Sequence, residues 1–239
     1  MSKGGSQLTL FPEPITGARR SRVARTRMFF ALWPDESVRL ALARAAMVIP
    51  PGDAARASWV RTERYHLTLA FLGEIEPRQA EAAERAASEI RVRPFRLQLD
   101  TVGHFEGPNV VWIGPQGLPA ELTQLKAELD RELLRFGLPV VAGKFTPHVT
   151  CMRGVREAPD APPVRIDWTV SEFVLVKSVL KPGMSRYKIV QRWPLRLDHG
   201  KLALEFPEPE VPEVQAPEAQ IPEPQTPEPQ GPETEADPD

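Results

Sequence analysis

The stretch His66-Leu67-Thr68-Leu69-Ala70-Phe71-Leu72-Gly73-Glu74 (HLTLAFLGE) has a counterpart about eighty residues later, Phe145-Thr146-Pro147-His148-Val149-Thr150-Cys151 (FTPHVTC). Two of the chain's 4 histidines therefore sit in one local pattern, His-apolar-Thr-apolar. Side chains of a strand alternate between faces. A strand reading puts His66 and Thr68 on one face with Leu67, Leu69 and Phe71 on the other, and opposes His148 and Thr150 to Val149 and Cys151. Side by side in a cleft, two such strands bring two imidazoles and two hydroxyls to one volume.

That inventory suits the opening of a cyclic phosphodiester. A base must take a proton from attacking water and an acid must protonate the departing alkoxide; imidazole does either near neutrality. Threonine hydroxyls donate to the non-bridging oxygens, where negative charge is held during displacement. The chemistry calls for no metal, and no cofactor is expected. A zinc site would want a third ligand and closer spacing, and neither histidine stands in HExxH register. A nucleophilic Cys151 fits poorly, because alternation turns it away from His148; it reads as core. His104, at an expected turn, and His199 have no such company and read as surface or hydrogen-bonded histidines.

Working outward, strands and helices alternate between about Arg27 and Asp198. RMFFALW is a short apolar strand, and Pro34-Asp35-Glu36 opens an alanine-rich helix to about Val48, stopped by Pro50-Pro51-Gly52-Asp53. HLTLAFLG is a strand, and Pro77 sits in the first turn of a second helix. FRLQLDTVGHF and NVVWIGP read as strands of a hairpin across Glu106-Gly107-Pro108, followed by an amphipathic helix closed at Gly137. VSEFVLVKSVL and SRYKIVQRWPL make a last hairpin across Lys181-Pro182-Gly183-Met184. The grammar predicts two similar β/α lobes, each supplying one His-x-Thr strand. A doubly wound parallel sheet would want a glycine-rich phosphate loop, which is missing.

The ends differ in composition from this middle. Residues 1–26 are basic and rich in Gly, Ser and Pro, and residues 199–239 repeat Pro-Glu with a five-residue period. Both read as disordered arms flanking one domain over 27–198. The tail holds about a third of the 32 acidic residues, so the net charge of -2 conceals a basic remainder suited to a polyanion such as RNA. One cysteine permits no internal disulfide, and neither a signal peptide nor a membrane-spanning run is present, so a cytoplasmic monomer is expected.

Taken together, RMFFALWP, YHLTLAFLGE, VGHFEGPNVVWIGP, FTPHVTCMR and SVLKPGMSRYKIVQRWPL resemble the two-histidine phosphoesterases, and among them the RNA 2′,3′-cyclic phosphodiesterases, also called 2′-5′ RNA ligases. The resemblance covers about Arg27 to Leu197. It implies a bilobal α+β fold, in which two pseudo-symmetric antiparallel-sheet lobes with outer helices frame a central cleft. It implies metal-independent hydrolysis of a terminal 2′,3′-cyclic phosphate on RNA ends or small cyclic nucleotides to a 2′-phosphate. It further implies His66 as proton donor, His148 as proton acceptor, and Thr68 and Thr150 on the phosphate oxygens; sequence alone leaves open which histidine is which. Arg153 matches the family's basic residue after the second motif and would bind phosphate if the strand bends there. Phe71, Phe145 and Tyr187 could stack on a base or pack in the core. Separately, Gln7-Leu8-Thr9-Leu10-Phe11 resembles the pentapeptides that dock on bacterial sliding clamps, with Gln7, Leu8, Leu10 and Phe11 as contacts.

Overall fold

The computed structural model describes residues 24–51, 57–141, 143–181 and 184–196. The QLTLF segment, most of the basic arm, His199 and the Pro-Glu tail lie outside the described residues. Strand β1 (Thr26–Leu32) starts just within the span read as an arm, where Thr26 pairs with Ile75 and Arg25 meets Glu76 at 3.2 Å. Its run Met28–Leu32 is buried throughout because both of its faces are covered. Met28, Phe30 and Leu32 enter the main core, while Phe29 and Ala31 join Val174 and Val176 in a smaller cluster on the opposite face.

Helix α1 (Glu36–Met47) is capped by Asp35, whose carboxylate accepts the Val38 N–H at 3.0 Å. After the two-residue β2 (Ser58–Trp59) and a 3₁₀ turn (Thr62–Arg64) comes β3 (Leu67–Ile75). Helix α2 (Pro77–Ser88) is next, with Pro77 in its first turn and the Gln79 side chain accepting the Glu76 N–H at 3.0 Å. Then come β4 (Phe95–Leu99), β5 (Thr101–Phe105), β6 (Val110–Gly114), α3 (Ala120–Arg135), β7 (Val149–Arg153), β8 (Ile166–Val170), β9 (Glu172–Lys181) and β10 (Met184–Pro194). Gly137, at φ 74°, closes α3, and the Leu138 N–H reaches back to the Leu133 carbonyl at 2.9 Å.

The stretch read as one strand, FRLQLDTVGHF, divides at Asp100. The Asp100 carboxylate accepts the Gln116 N–H at 2.7 Å, and its own N–H donates to the Gly114 carbonyl at 3.0 Å. That local pairing hands β4 to a two-stranded sheet with β8, while β5 pairs with β6 as the expected hairpin.

The main sheet is antiparallel, in the order β10-β9-β1-β3-β7-β6-β5, with β2 added to β7. Its two halves, β10-β9-β1-β3 and β7-β6-β5, join through one registered pair, Leu67 with Val149. This is the bilobal α+β arrangement. The helices lock the halves together, because α1, which leaves β1, packs on β7 and β8, whereas α3, which leaves β6, packs on β3 and α2. No helix among the described residues is long and apolar enough to cross a membrane.

Candidate active site

The Leu67–Val149 pair is where the two motifs meet. Antiparallel register around it sets His66 opposite Thr150 and Thr68 opposite His148. All four residues line one open cleft of ≈ 660 Å³. The local symmetry extends to the ring nitrogens. His66 Nδ1 lies 2.7 Å from the Arg64 carbonyl, and His148 Nδ1 lies 2.7 Å from the Thr146 carbonyl, in each case two residues back. A carbonyl only accepts, so both Nδ1 atoms carry the hydrogen and both Nε2 atoms are left for chemistry. Neither threonine hydroxyl has a hydrogen-bond partner among the described residues, so both can donate to a ligand.

Strict alternation fails one residue beyond each threonine, and it fails the same way twice. Against β1, the partners run Phe30–Ala70 and then Ala31–Thr68, which leaves Leu69 as an extra residue. Against β6, they run Val111–Met152 and then Trp112–Thr150, which leaves Cys151 extra. Each β-bulge resets the face of the residues beyond it. Phe71, expected on the core side, therefore reaches the cleft and is 37 % exposed, and Arg153 reaches it beside Thr150. Cys151 is fully buried, as its core reading requires, and burial pushes its thiol up to about 12. It takes no part in the cleft chemistry.

The two histidines sit in different surroundings. His66 stacks on Trp33 at 5.6 Å, with Phe29 at 4.9 Å and the edge of Tyr187 at 5.2 Å. His148 meets Phe105 edge-on at 4.9 Å and Trp112 at 6.1 Å. Trp112 lies across Gly103, its cross-strand partner, where a Cβ would come within 2.1 Å of the indole. A Cβ on Gly114 would strike the Pro147 carbonyl at 2.6 Å, directly before His148. The backbone behind His148 thus depends on two bare glycines.

Burial in these aromatic walls lowers the pKa of both imidazoles. His66 falls to about 4: burial comes first, opposed by its bond to the Arg64 carbonyl and reinforced by His148, Arg153 and Arg64. His148 is lowered by burial and by Arg153, against the bond to Thr146. Both rings are neutral at pH 7 without a ligand, and His66 is the harder to charge.

Of the other expected residues, Tyr187 contacts His66 and Phe29 and carries the Arg64 guanidinium over its ring at 5.3 Å. Phe71 stacks on Phe29 and lies under Arg27 at 5.1 Å. Phe145 lines the cleft while packing against the core, with Lys126 over its ring. His104 is held away from the cleft chemistry by a 2.8 Å bond from Nε2 to the Val155 carbonyl. The sequence reading missed Trp33, Arg27, Arg64, Lys144 and Trp112. Arg64 stood two residues before His66 and so carried a positional signal, but Trp112 could be found only through strand register.

The family model of the 2'-5' RNA ligase superfamily matches residues 34–181. The chain is 34% identical over 171 residues to the RNA 2',3'-cyclic phosphodiesterase of Escherichia coli K12, covering 71% of this chain and 96% of that one. It is 33% identical to the enzyme of the same name from Thermus thermophilus, over 76% and 96% of the two chains. Among solved structures, E. coli LigT complexed with 3'-AMP superposes at TM-score 0.65 with 33% identity, covering 72% of this chain and 98% of that one. The same protein complexed with phosphate gives 0.63. With two His-x-Thr strands paired side by side along one cleft and these likenesses over the same residues, the chain belongs to the 2′-5′ RNA ligase superfamily of two-histidine phosphoesterases.

Proposed function

We propose that the protein hydrolyses the terminal 2′,3′-cyclic phosphate of RNA to a 2′-phosphate, without a metal, by paired general acid and base catalysis. One observation carries the reading: two imidazoles, each fixed through Nδ1–H to a backbone carbonyl, present their Nε2 atoms to a single cleft. Water attacks phosphorus as His148 Nε2 takes its proton. The P–O3′ bond breaks as protonated His66 gives its Nε2 proton to O3′. The products are a 2′-phosphate and a 3′-hydroxyl, and the two rings exchange protonation states for the next turnover.

Thr68 and Thr150 donate to the non-bridging oxygens, and Arg153 supplies the permanent charge that a phosphorane-like transition state needs. The ligand itself completes the proton inventory. A bound phosphate anion opposes Arg153 and Arg64, which raises the pKa of His66 and lets it hold the proton it must donate. Phe71, the most exposed of the three candidate rings, offers its exposed edge to the terminal base, with Phe145 and Tyr187 beside the same cleft.

Incubation with a cyclic-phosphate-ended oligoribonucleotide in EDTA is expected to yield a 2′-phosphate, read by mass spectrometry and phosphatase sensitivity. Binding without turnover, or turnover that EDTA abolishes, would overturn the reading.

We also propose that the protein acts in the cytoplasm as a monomer, and that Gln7, Leu8, Leu10 and Phe11 dock the N-terminal segment on a sliding clamp. A labelled peptide of residues 1–20 is expected to bind the clamp and to lose binding with Leu10→Ala or Phe11→Ala. No binding ends the clamp proposal.

A further inference from the structure

Each catalytic-site histidine has a neighbour on the adjoining strand, and the two neighbours are unlike. The β1–β3 register that pairs Leu32 with Leu67 sets Trp33 opposite His66 one step on. The β6–β7 register that pairs Ile113 with Val149 sets Gly114 opposite His148. An indole therefore fills one position and the other is bare. The chain after Trp33 holds the indole in place. Pro34 restricts Trp33 to extended backbone, and Asp35 is tied to α1 through the Val38 N–H at 3.0 Å.

The result is a parallel stack on one side of the cleft only. The Trp33 and His66 rings lie 5.6 Å apart and within 12° of parallel. On the other side, Phe105 meets His148 at 84° and Trp112 meets it at 54°. Trp33 does not line the cleft; its remaining surface lines a separate cavity of ≈ 300 Å³ with Arg39, Trp168 and Arg192. Its link with the chemistry therefore runs through His66.

His66 lacks any other support for a positive charge. Its Nδ1–H goes to a backbone carbonyl, and no carboxylate among the described residues forms an ion pair with it. The charged and titratable groups facing it are Arg64 from the 3₁₀ turn, His148 and Arg153 from the β7 segment, and Tyr187 from β10. None brings a negative charge at neutral pH. The carboxylate lining the cleft, Asp130, is already paired with Lys126. The aromatic walls together strip water from the ring, which disfavours its charged form. A face lying parallel to the ring offsets part of that cost, since an aromatic face attracts a cation within about 6 Å of its centre and tryptophan does so most strongly. Trp33 is the wall nearest to parallel; Phe29 is tilted by 38° and Tyr187 by 77°.

We propose that Trp33 is a positioning residue for the proton donor: its indole, stacked on His66, fixes the ring plane and supports the imidazolium, so that the donated proton resides on His66 and not on His148. The inference rests on the proposed phosphodiesterase reading and adds a residue to it.

The experiment follows the ring NMR signals of both histidines through a pH titration in excess sulfate, a tetrahedral anion of constant charge. The unmutated protein is compared with Trp33→Leu and Trp33→Phe, and kcat and KM for a cyclic-phosphate-ended oligoribonucleotide are measured on the same samples. Trp33→Leu, which keeps an apolar wall without a π face, should lower the His66 midpoint by about one pH unit and leave that of His148 in place. At neutral pH kcat should fall by the matching factor, about 10-fold, with KM nearly unchanged. Trp33→Phe, which keeps a smaller face, should lie between the two, and it decides the matter if the leucine variant does not fold. A His66 midpoint that neither variant lowers, an equal displacement of both histidines, or a loss of kcat without displacement of His66 overturns the role of Trp33 and leaves the phosphodiesterase reading intact. Absence of turnover in the unmutated protein, with its rings titrating as expected, overturns that reading and the catalytic role of Trp33 with it.

Discussion

The two halves of the cleft are the same construction carrying different cargo. Each has a histidine pinned to the carbonyl two residues back, a threonine two residues on, a bulge directly after the threonine, and a cleft-facing side chain three positions beyond it. In the N-terminal half that last side chain is Phe71; in the C-terminal half it is Arg153. Repetition of backbone sets two imidazoles symmetrically in one cleft, as the proposed reaction requires of its proton-transfer groups. The unlike residues at the bulge exits break the symmetry, giving one half an aromatic ring and the other a guanidinium.

The sharpest way to break the comparison is to remove either imidazole. His66→Ala and His148→Ala should each lower kcat by about 10²–10⁴-fold, the contribution of a positioned acid or base. Survival of full turnover in one variant would make the halves unequal in kind, which single-turnover assays would reveal.

The bulge exits come next. Arg153→Ala should cost about 10–100-fold in kcat/KM through lost charge-assisted bonds. Phe71→Ala should act mainly on KM, by about 5–10-fold, as expected for loss of a base–aromatic contact of ~1 kcal/mol. Equal effects of the two on kcat would erase the division of labour.

A smaller effect tests the support behind His148. Gly103→Ala puts a Cβ where the Trp112 indole lies, and should destabilise the fold by about 1–3 kcal/mol in urea melts. Its kcat should fall with it, because Trp112 packs on His148. No equivalent glycine supports His66 among the described residues; it rests on Trp33 and Phe29 instead.

Acid should separate the halves more subtly. The folded pKa of His66 lies below its unfolded value near 6.5, so its contribution to stability is present above pH 6.5 and is lost as pH falls towards 4. With the ring in an open cleft, the loss is about 1–3 kcal/mol. His66→Gln should flatten the denaturant midpoint over that window more than His148→Gln does. Because a bound anion raises both values, the optimum of kcat should lie at higher pH than that of kcat/KM.

Much of this was legible beforehand. The His-x-Thr repeats, the helix starts at Asp35 and Pro77, the stop at Gly137 and the core position of Cys151 come from periodicity and local capping, which involve only neighbours in the chain. Alternation misread Phe71. A bulge is a mismatch between two strands, and nothing in either strand alone states it. The break at Asp100 was hidden for a similar reason, since the bonds that cause it run to Gly114 and Gln116.

By itself, then, the sequence determined which side chains are chemically equipped for the proton transfer and phosphate contact of the proposed reaction, because residue type fixes donor, acceptor and intrinsic pKa. Tertiary structure alone decided that Leu67 meets Val149, that paired bulges bring Phe71 and Arg153 to one cleft, and that aromatic walls drive charge off His66. Register, burial and field are properties of segments brought together across the chain, and they come into being only when the lobes close around their common pair.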